Sequence, residues 1–413
     1  MQETLDSYIG GKYLTTSFRV LVSEIPSTTY ATHGIYFYPA KFIPQVVRFF
    51  LEKYGGGTVF DPFAGSGTVG VECEIIGKNY VLWELNPIMD VIIKASTYRG
   101  EVKPEELKID WGYKETFLPN WKNLEYWYPK EFLSFLSTAW GYYHYAVKEE
   151  LKPLIAIPLM KLSKYFSYAD IKFPKLFKSK EAEQRVSRLL SEDYIRIMEE
   201  MYLEEVSKLV KKISEFNNIR AKNEVKKIVR SGIDSINEKL GTEVDSLLTS
   251  PPYLQAQEYI RTSKLELFWL GHTEEEVRQL MKKEIPYNSV EDDLIQSRLY
   301  VQYLNEIKGL KHKGLLKIYS TYFNSLAKFL NNNHEKVINF IGIFVGPVKI
   351  RGMRIPIDEI LREHLESLGW SHEATYIDQI VSRRLSKVEV NPATKMPDER
   401  TPTEHLLIMR RKK

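Results

Sequence analysis

Short apolar runs and longer amphipathic segments take turns along most of the chain, which is typical of strands that alternate with helices. Strands are predicted at 59–60, 80–83, 224–230, 244–248, 336–345, 374–377 and 405–409, and helices at 69–76 and 357–368. Strands and helices in this order predict an α/β fold built on a mainly parallel sheet.

The alternation is interrupted between about residues 100 and 225. From 181 to 230 the chain has no Gly or Pro, and its apolar residues recur at helical spacing, at Val186, Leu190, Ile197, Met201, Val206, Leu209 and Ile213. This pattern predicts one long amphipathic helix or a pair of helices. We therefore expect three parts: residues 1–99, an inserted helix-rich region at 100–225, and residues 226–413.

Composition excludes several classes of protein. The chain has 413 residues, too many for one ordinary core, and it has no apolar run near 18 residues, so no membrane span is predicted. The N-terminal residues lack the basic and apolar regions of a signal peptide, so a cytoplasmic protein is expected. The single cysteine, Cys73, rules out an internal disulfide, and the sequence carries no metal-ligand signature.

The net charge does not indicate whether the protein binds nucleic acid, but the distribution of its lysines is more informative. The formal charge of +4 arises from 58 basic and 54 acidic residues, which a solvated surface alone could explain. Between 161 and 180, however, lysines are interleaved with aromatic residues, as on a surface that contacts phosphates and stacks on bases. The candidate DNA-binding residues are Lys161, Lys164, Lys172, Lys175 and Lys178. A basic loop with its aromatic side chains turned inward is the alternative.

A glycine-rich turn follows the strand predicted at 59–60. It has the sequence Asp61-Pro62-Phe63-Ala64-Gly65-Ser66-Gly67-Thr68 and leads into the predicted helix at 69–76. Glycines let the backbone approach a ligand closely, and the N-terminus of the helix presents N–H groups to an anion. Glu84 ends the next strand, where an acid in a doubly wound sheet binds a ribose diol. The turn therefore predicts a cofactor site, although the G-x-G-x-x-G pattern of a dinucleotide site is absent.

A second motif, Thr249-Ser250-Pro251-Pro252-Tyr253, ends the apolar run at 244–248. Two successive prolines fix their φ angles and lack N–H groups, so the strand stops in a rigid turn with carbonyl oxygens left as acceptors. The Tyr253 ring offers a face on which a nucleobase can stack. A turn with no function beyond ending the strand is the alternative interpretation.

Together the two motifs resemble those of the S-adenosylmethionine-dependent DNA methyltransferases that modify exocyclic amines, the N4-cytosine and N6-adenine group. The cofactor motif of that family is similar to residues 61–68, and its catalytic motif, (Ser/Asp/Asn)-Pro-Pro-(Tyr/Phe), is similar to residues 250–253. Residues 33–44 resemble the segment that closes over the cofactor, and residues 231–235 loosely resemble a stretch that meets its adenine. The resemblance implies a seven-stranded, mostly parallel, Rossmann-like sheet with helices on both faces and a terminal antiparallel hairpin.

The resemblance also implies roles for individual residues. S-adenosyl-L-methionine would be the cofactor and double-stranded DNA the partner, with region 100–225 as the candidate for target recognition. The implied cofactor-binding residues are Tyr38, Pro39, Asp61, Pro62, Phe63, Ala64, Gly65, Ser66, Gly67, Thr68, Glu84, Leu85, Asn86 and Asp234. The implied catalytic residues are Ser250, Pro251, Pro252 and Tyr253. A restriction–modification system is implied too, in which a cognate endonuclease would act separately.

The chemistry that the family implies is direct methyl transfer to an exocyclic amine of a flipped-out base. The lone pair of that amine is delocalised into the ring, so the site has to accept hydrogen bonds from its protons, a task suited to Ser250 and the Pro251 carbonyl. Within the family, Ser at the first motif position goes with N4-cytosine and Asp with N6-adenine. Ser250 therefore favours cytosine, and adenine is the alternative.

Three further activities can be weighed from the sequence. Methylation of cytosine at C5 needs a thiolate nucleophile, whereas Cys73 lies in the predicted helix at 69–76, where a packed thiol is expected. An RNA or protein methyltransferase would share the cofactor motif. A non-catalytic DNA-binding module would need no intact cofactor motif, so two complete motifs favour an enzyme.

Overall fold

The computed structural model describes residues 8–9, 12–39, 42–173, 176–254, 258–379 and 403–412. The strands in these residues are β1 (Tyr8–Ile9), β2 (Tyr13–Thr16), β3 (Thr58–Asp61), β4 (Asn79–Glu84), β5 (Lys227–Ser231), β6 (Val244–Thr249), β7 (Val337–Val345), β8 (Val348–Ile350), β9 (Met353–Ile355), β10 (Trp370–Gln379) and β11 (Thr403–Arg411). The predicted alternation of strands and helices is confirmed on both sides of the helical region.

The helices lie between these strands. They are α1 (Phe18–Leu21), α2 (Pro44–Lys53), α3 (Thr68–Ile76), α4 (Ile88–Ser96), α5 (Leu124–Trp127), α6 (Lys130–Tyr145), α7 (Lys152–Tyr165), α8 (Lys180–Leu190), α9 (Tyr194–Ile219), α10 (Tyr259–Thr262), α11 (Lys264–Trp269), α12 (Glu274–Lys283), α13 (Arg298–Gly309), α14 (Lys313–Asn333) and α15 (Ile357–Ser367). Short 3₁₀ turns occur at Ala31–Gly34, Pro104–Leu107 and His334–Lys336.

One large sheet organises the molecule. Its strand order is β1-β2-β10-β11-β7-β6-β3-β4-β5, and β8 and β9 form a separate two-stranded sheet. Strands β5, β4, β3, β6 and β7 run parallel to one another, whereas β11 runs antiparallel to both β7 and β10. The mixed α/β class and the antiparallel closing strands agree with the expectation from the sequence.

The strand count differs from the expectation. Seven strands, from β10 to β5, make up the predicted sheet, but β2 pairs in parallel with β10 and β1 pairs antiparallel with β2. The prediction of seven strands is therefore wrong by two strands at this edge. Residues 13–16 include a Tyr and two Thr, which suit a strand, and by pairing with Thr375–Asp378 they satisfy backbone groups that β10 would otherwise expose.

The helix pair predicted after residue 181 is present as α8 and α9. Val186 and Val206 are buried as the helical spacing predicts, whereas Leu190 remains 37% exposed at the end of α8. In α9 the buried residues include Met198 and Tyr202, which are not among the apolar residues predicted at helical spacing. These helices share one buried cluster with Ile88 and other residues of α4, so the helical region packs on the sheet domain.

The sheet topology determines where a site can form. Strands β3, β4 and β6 are neighbours and run parallel, so their carboxyl ends lie at the same edge. Asp61 ends β3, Glu84 ends β4, and Ser250 directly follows β6. A crevice outside the carboxyl ends of the strands is the usual ligand site of such a sheet.

Candidate active site

A single pocket at this edge joins the two sequence motifs. Phe63 and Gly65 of the glycine-rich turn and Glu84 at the end of β4 lie on one side of it, and the turn at 250–253 lies on the other. The full lining consists of Tyr38, Pro39, Phe63, Gly65, Glu84, Leu85, Asp234, Ser235, Ile236, Ser250, Pro251, Pro252, Tyr253, Tyr259, Ile260, Lys283, Glu284 and Ile285. The glycine-rich turn and the turn at 250–253, nearly two hundred residues apart in the sequence, therefore line the same pocket.

The glycine-rich turn is shaped as a cradle. Gly65 and Gly67 have φ angles of 55° and 77°, in the left-handed region that favours glycine. A Cβ atom at Gly67 would come within 2.6 Å of Ile93 Cδ1, so this position has no room for a side chain. At the start of α3 the Thr68 hydroxyl is buried and has no hydrogen-bond partner in the described structure. A polar group of a ligand could satisfy it, as a cofactor site requires.

Glu84 is held by backbone N–H groups from the turn and from its own strand end. Its Oε2 accepts a hydrogen bond from the Gly65 N–H at 2.8 Å, and its Oε1 accepts one from the Asn86 N–H at 3.0 Å. Burial nevertheless raises the pKa of Glu84. Each carboxylate oxygen can accept more than one hydrogen bond, so Glu84 can still bind the hydroxyl groups of a ligand.

Asp61 connects the two motifs below the pocket. Its Oδ1 accepts hydrogen bonds from the Thr249 hydroxyl at 2.7 Å and from the Phe63 N–H at 3.1 Å. Burial raises the pKa of Asp61 to about 7, although these two donors act in the opposite direction. This carboxyl group therefore ties the end of β6, just before Ser250, to the end of β3.

The turn after β6 faces the pocket with mixed polarity. Pro251 is buried, whereas Ser250, Pro252 and Tyr253 are partly exposed. The Tyr253 hydroxyl donates a hydrogen bond to Glu404 Oε1 of β11 at 2.8 Å. Burial, followed by the charge of Glu404, raises the pKa of Tyr253 well above its ordinary value, so the phenol keeps its proton.

Not every predicted cofactor residue lines the pocket. The predicted residues that lie behind or beside the lining are Asp61, Pro62, Ala64, Ser66, Gly67, Thr68 and Asn86. Buried Asn86 donates from Nδ2 to the Ser263 hydroxyl at 3.0 Å, and the Pro62 carbonyl accepts from the Ser235 hydroxyl at 2.6 Å. Asp234 does line the pocket, and its carboxylate also accepts hydrogen bonds from the Ile236 N–H and the Asn237 side chain.

Sequence reasoning did not identify one wall of the pocket, which includes Tyr259, Lys283 and Glu284. The Tyr259 ring lies parallel to that of Tyr38, with ring centroids 6.3 Å apart. Glu284 Oε1 accepts a hydrogen bond from the Ile260 N–H at 2.8 Å, and burial raises the pKa of Glu284 to about 8. No local pattern marks Tyr259 as a pocket residue, and Glu284 belongs to a run of charged residues that looks like solvated surface.

The candidate DNA-binding lysines lie in different environments. Lys161 forms an ion pair with Glu205 at 2.7 Å, and Lys164 forms one with Glu266 at 3.3 Å. Lys178 lies over the Tyr126 ring, 3.7 Å from its centroid, whereas Lys172 is exposed. Lys175 lies outside the described residues, as do Ala40 and Lys41 of the segment at 33–44.

The described residues carry neither a metal-binding cluster nor a membrane-spanning helix. Among the described residues, no group of three or more His, Cys, Asp or Glu could hold a metal ion. None of the helices in the described ranges combines the length and apolar character needed to cross a membrane.

The fold and the pocket are consistent with the methyltransferase class of doubly wound α/β proteins, and comparison with known proteins specifies the family. The model of the N6/N4 methyltransferase family, described as DNA methylase, matches residues 11–94. Together with the relatives below, this match supports a similarity to the amino-methyltransferase family, with the family model covering residues 11–94 of the 413.

Three relatives illustrate the extent of the similarity. The type II methyltransferase M.BsoBI of Geobacillus stearothermophilus is 24% identical over 65% of this chain and 58% of its own length. M.MvaI of Kocuria varians is 21% identical over 92% of this chain and 88% of its own length. M.MjaII of Methanocaldococcus jannaschii is 35% identical over 20% of this chain and 16% of its own length. The chain thus matches less than two thirds of M.BsoBI but most of M.MvaI.

Proposed function

We propose that this protein is a site-specific DNA methyltransferase that transfers a methyl group from S-adenosylmethionine to the N4 amine of cytosine in duplex DNA. One observation carries the proposal: the Ser250-Pro251-Pro252-Tyr253 turn and the glycine-rich turn line the same pocket, together with Glu84. A methyl donor and an acceptor base could therefore meet there. The names of the relatives, all type II methyltransferases, support the same class of reaction.

The cofactor would be held by the wall that contains Gly65 and Glu84. Glu84 would accept hydrogen bonds from the ribose hydroxyls, and the methionyl end would extend beyond the pocket lining toward the Thr68 hydroxyl and the start of α3. When bound, S-adenosylmethionine supplies an electrophilic methyl group on its sulfonium. The steric limit at Gly67 and the buried, unpaired Thr68 hydroxyl suit a ligand that fits closely against the turn.

The acceptor base would be held by the turn at 250–253. The Ser250 hydroxyl and the Pro251 carbonyl can accept hydrogen bonds from the two protons of an exocyclic amine, which draws its lone pair out of conjugation. Tyr253 would stack on the flipped-out base. Serine at position 250 favours N4 of cytosine over N6 of adenine, which remains the alternative acceptor.

The environment of Cys73 argues against methylation at C5 of cytosine. Cys73 lies in α3, is fully buried in an apolar cluster and does not line the pocket. Burial raises the pKa of its thiol well above the usual value. A C5 methyltransferase needs a reactive thiolate at the base, so a buried, protonated thiol cannot fill that role.

Target recognition and biological setting are further parts of the proposal. Region 100–225 would contact the DNA, with Lys172 as the exposed candidate for a phosphate contact among Lys161, Lys164, Lys172 and Lys178, which the structure describes. The type II relatives make a restriction–modification system the expected setting, in which a separate endonuclease would recognise the same sequence.

The test is to express the chain in cells that lack DNA methylation and to analyse nucleosides from their DNA and RNA by mass spectrometry. We expect N4-methyldeoxycytidine from the wild type and none from Ser250→Ala. Detection of N6-methyldeoxyadenosine instead would show that adenine is the acceptor. Methylation of RNA alone would overturn both the cytosine and the adenine proposal. Sequencing that detects modified bases would then give the target sequence.

A further inference from the structure

The Tyr253–Glu404 hydrogen bond links the pocket to a strand that carries none of the sequence motifs. The two side chains are 151 residues apart in sequence, and the hydroxyl-to-carboxylate distance is 2.8 Å. Glu404 lies near the start of β11, where it pairs with Asp378 of β10. Both Tyr253 and Glu404 are partly exposed, and Tyr253 lines the pocket.

Stacking alone does not require the hydroxyl group. A phenylalanine at position 253 would present the same ring face, and the family motif allows either residue. The Tyr253 hydroxyl instead donates to a carboxylate, and a hydrogen bond to a charged acceptor is stronger than one between neutral groups. The ring is thereby held at both ends, by the backbone of a proline-rich turn and by β11. A ring held in advance loses less side-chain freedom when a base binds.

We propose that Glu404 is a positioning residue that fixes the Tyr253 ring in the orientation needed to receive the flipped-out base. The inference rests on the proposed function, since it assumes that a base stacks on Tyr253. It adds a residue that does not line the pocket and that lies far from both motifs in the sequence.

The protein contains a matched control for this pair. The Tyr13 hydroxyl donates to Glu359 Oε1 at 2.7 Å, and Tyr13 and Glu359 lie on β2 and α15. Neither residue lines the pocket. The same chemical change can therefore be made at two sites, of which only one is expected to affect base capture.

The experiment uses Tyr253→Phe, Glu404→Ala, their double variant, and Tyr13→Phe with Glu359→Ala as controls. For each we would measure kcat and KM for duplex DNA carrying the target sequence, and the Kd of S-adenosylmethionine by calorimetry. We expect Tyr253→Phe and Glu404→Ala each to lower kcat/KM for DNA about three- to tenfold, the usual worth of one such hydrogen bond. The double variant should be no worse than either single variant, because both changes remove one interaction.

Two further readouts separate positioning from general damage. Glu404→Gln keeps an acceptor oxygen, so it should retain kcat/KM within about twofold of the wild type and would replace Glu404→Ala if that variant fails to fold. A second readout uses DNA that carries the fluorescent base 2-aminopurine at the target position. Stacking on the Tyr253 ring quenches its fluorescence. A less firmly held ring at position 253 stacks less well, so the fluorescence should be stronger with Tyr253→Phe than with the wild type. The Kd of the cofactor should stay unchanged in every variant.

The inference is overturned if Glu404→Ala matches the wild type in kcat/KM, if the two single effects multiply in the double variant, or if the Tyr13 and Glu359 variants lose as much activity. Its failure is distinguishable from that of the proposed function. If the wild type methylates DNA and Tyr253→Phe is equally active, the proposed function stands and only the role of Glu404 is excluded. A wild type that binds no cofactor and methylates no DNA removes both.

Discussion

The two walls of the pocket are held in place by contacts of very different range. On the cofactor wall, formed by Phe63, Gly65, Glu84 and Leu85, the Glu84 carboxylate accepts from N–H groups 2 and 19 residues away. On the catalytic wall, formed by residues 250–253, Tyr259 and Glu284, Tyr253 bonds to a residue 151 positions away. The cofactor wall is thus largely a local structure, whereas the catalytic wall depends on the assembled sheet.

This difference makes the two walls separable by mutation. A change at Glu84 on the cofactor wall should alter cofactor binding and leave the catalytic turn in place, because the N–H groups that hold its carboxylate belong to Gly65 and Asn86 and not to residues 250–253. A change on the catalytic wall should alter turnover or base capture and leave cofactor affinity intact. Asp61 is the exception, since its carboxyl group bonds to both the Phe63 N–H and the Thr249 hydroxyl.

Ser250→Ala should have the largest effect and should act only on the catalytic wall. It removes an acceptor that matters most as the amine nitrogen gains positive charge in the transition state, so we expect the methylation rate to fall about a hundredfold. Single-turnover methylation measures the rate, and calorimetry should show an unchanged Kd for S-adenosylmethionine. Ser207→Ala, on the exposed surface of α9, is the control. Weaker cofactor binding in Ser250→Ala would mean that the two walls are not separable.

Glu84→Ala should give the opposite result. Losing hydrogen bonds between the carboxylate and the ribose hydroxyls costs about 1.5–3 kcal/mol, which is roughly a ten- to hundredfold loss in cofactor affinity. Calorimetry of the variant against Glu101→Ala, an exposed acid, tests this expectation. DNA affinity in the absence of cofactor should be unchanged, and an unchanged cofactor Kd would remove Glu84 from the proposed site.

Glu284 should make the stability of the catalytic wall sensitive to pH. Burial raises the pKa of Glu284 from an ordinary 4.5 to about 8, so the folded protein retains a proton that the unfolded chain releases. The stabilising contribution is complete below about pH 4.5 and is lost as the pH rises through 8. Glu284→Gln cannot ionise, so its unfolding free energy should fall less between pH 5 and 9, by roughly 3–4 kcal/mol.

Thermal unfolding at several pH values, compared with Glu101→Gln, would measure the effect of Glu284. The pKa of Asp61 is also raised, to about 7, so some loss of stability with rising pH should remain in the variant. A pH profile identical to that of the wild type would show that Glu284 is charged in the folded protein at neutral pH.

The smallest expected effect concerns the surface outside both walls. Lys172 is exposed, whereas Lys161 and Lys164 already form ion pairs with Glu205 and Glu266. Lys172→Ala should therefore reduce the slope of log affinity for DNA against log salt by about 0.9, the value for one lost phosphate contact. Lys239→Ala, an exposed lysine beyond the helical region, is the control. An unchanged slope would assign the region around Lys172 to ordinary surface.

Much of the cofactor wall could be predicted because its information is local. The apolar strand at 58–61, the glycines at 65 and 67, and the acid that ends β4 follow one another within a short stretch of chain. Backbone geometry at the glycines and the position of Glu84 at a strand end are consequences of residue type and order. The pentapeptide at 249–253 likewise predicted where β6 stops, since two prolines cannot continue the strand, and its catalytic role stays a prediction.

By itself, then, the sequence determined the α/β class, the positions of the principal strands along the chain, the two motifs and the buried state of Cys73, because each depends on local residue pattern. Only the tertiary structure decided that β1 and β2 extend the sheet, that Tyr259 and Glu284 complete the pocket, and that Glu404 reaches Tyr253. It also decided which lysines are paired with acids. The physical reason is that strand pairing and side-chain hydrogen bonds between distant residues depend on how the whole chain packs, which no local pattern encodes.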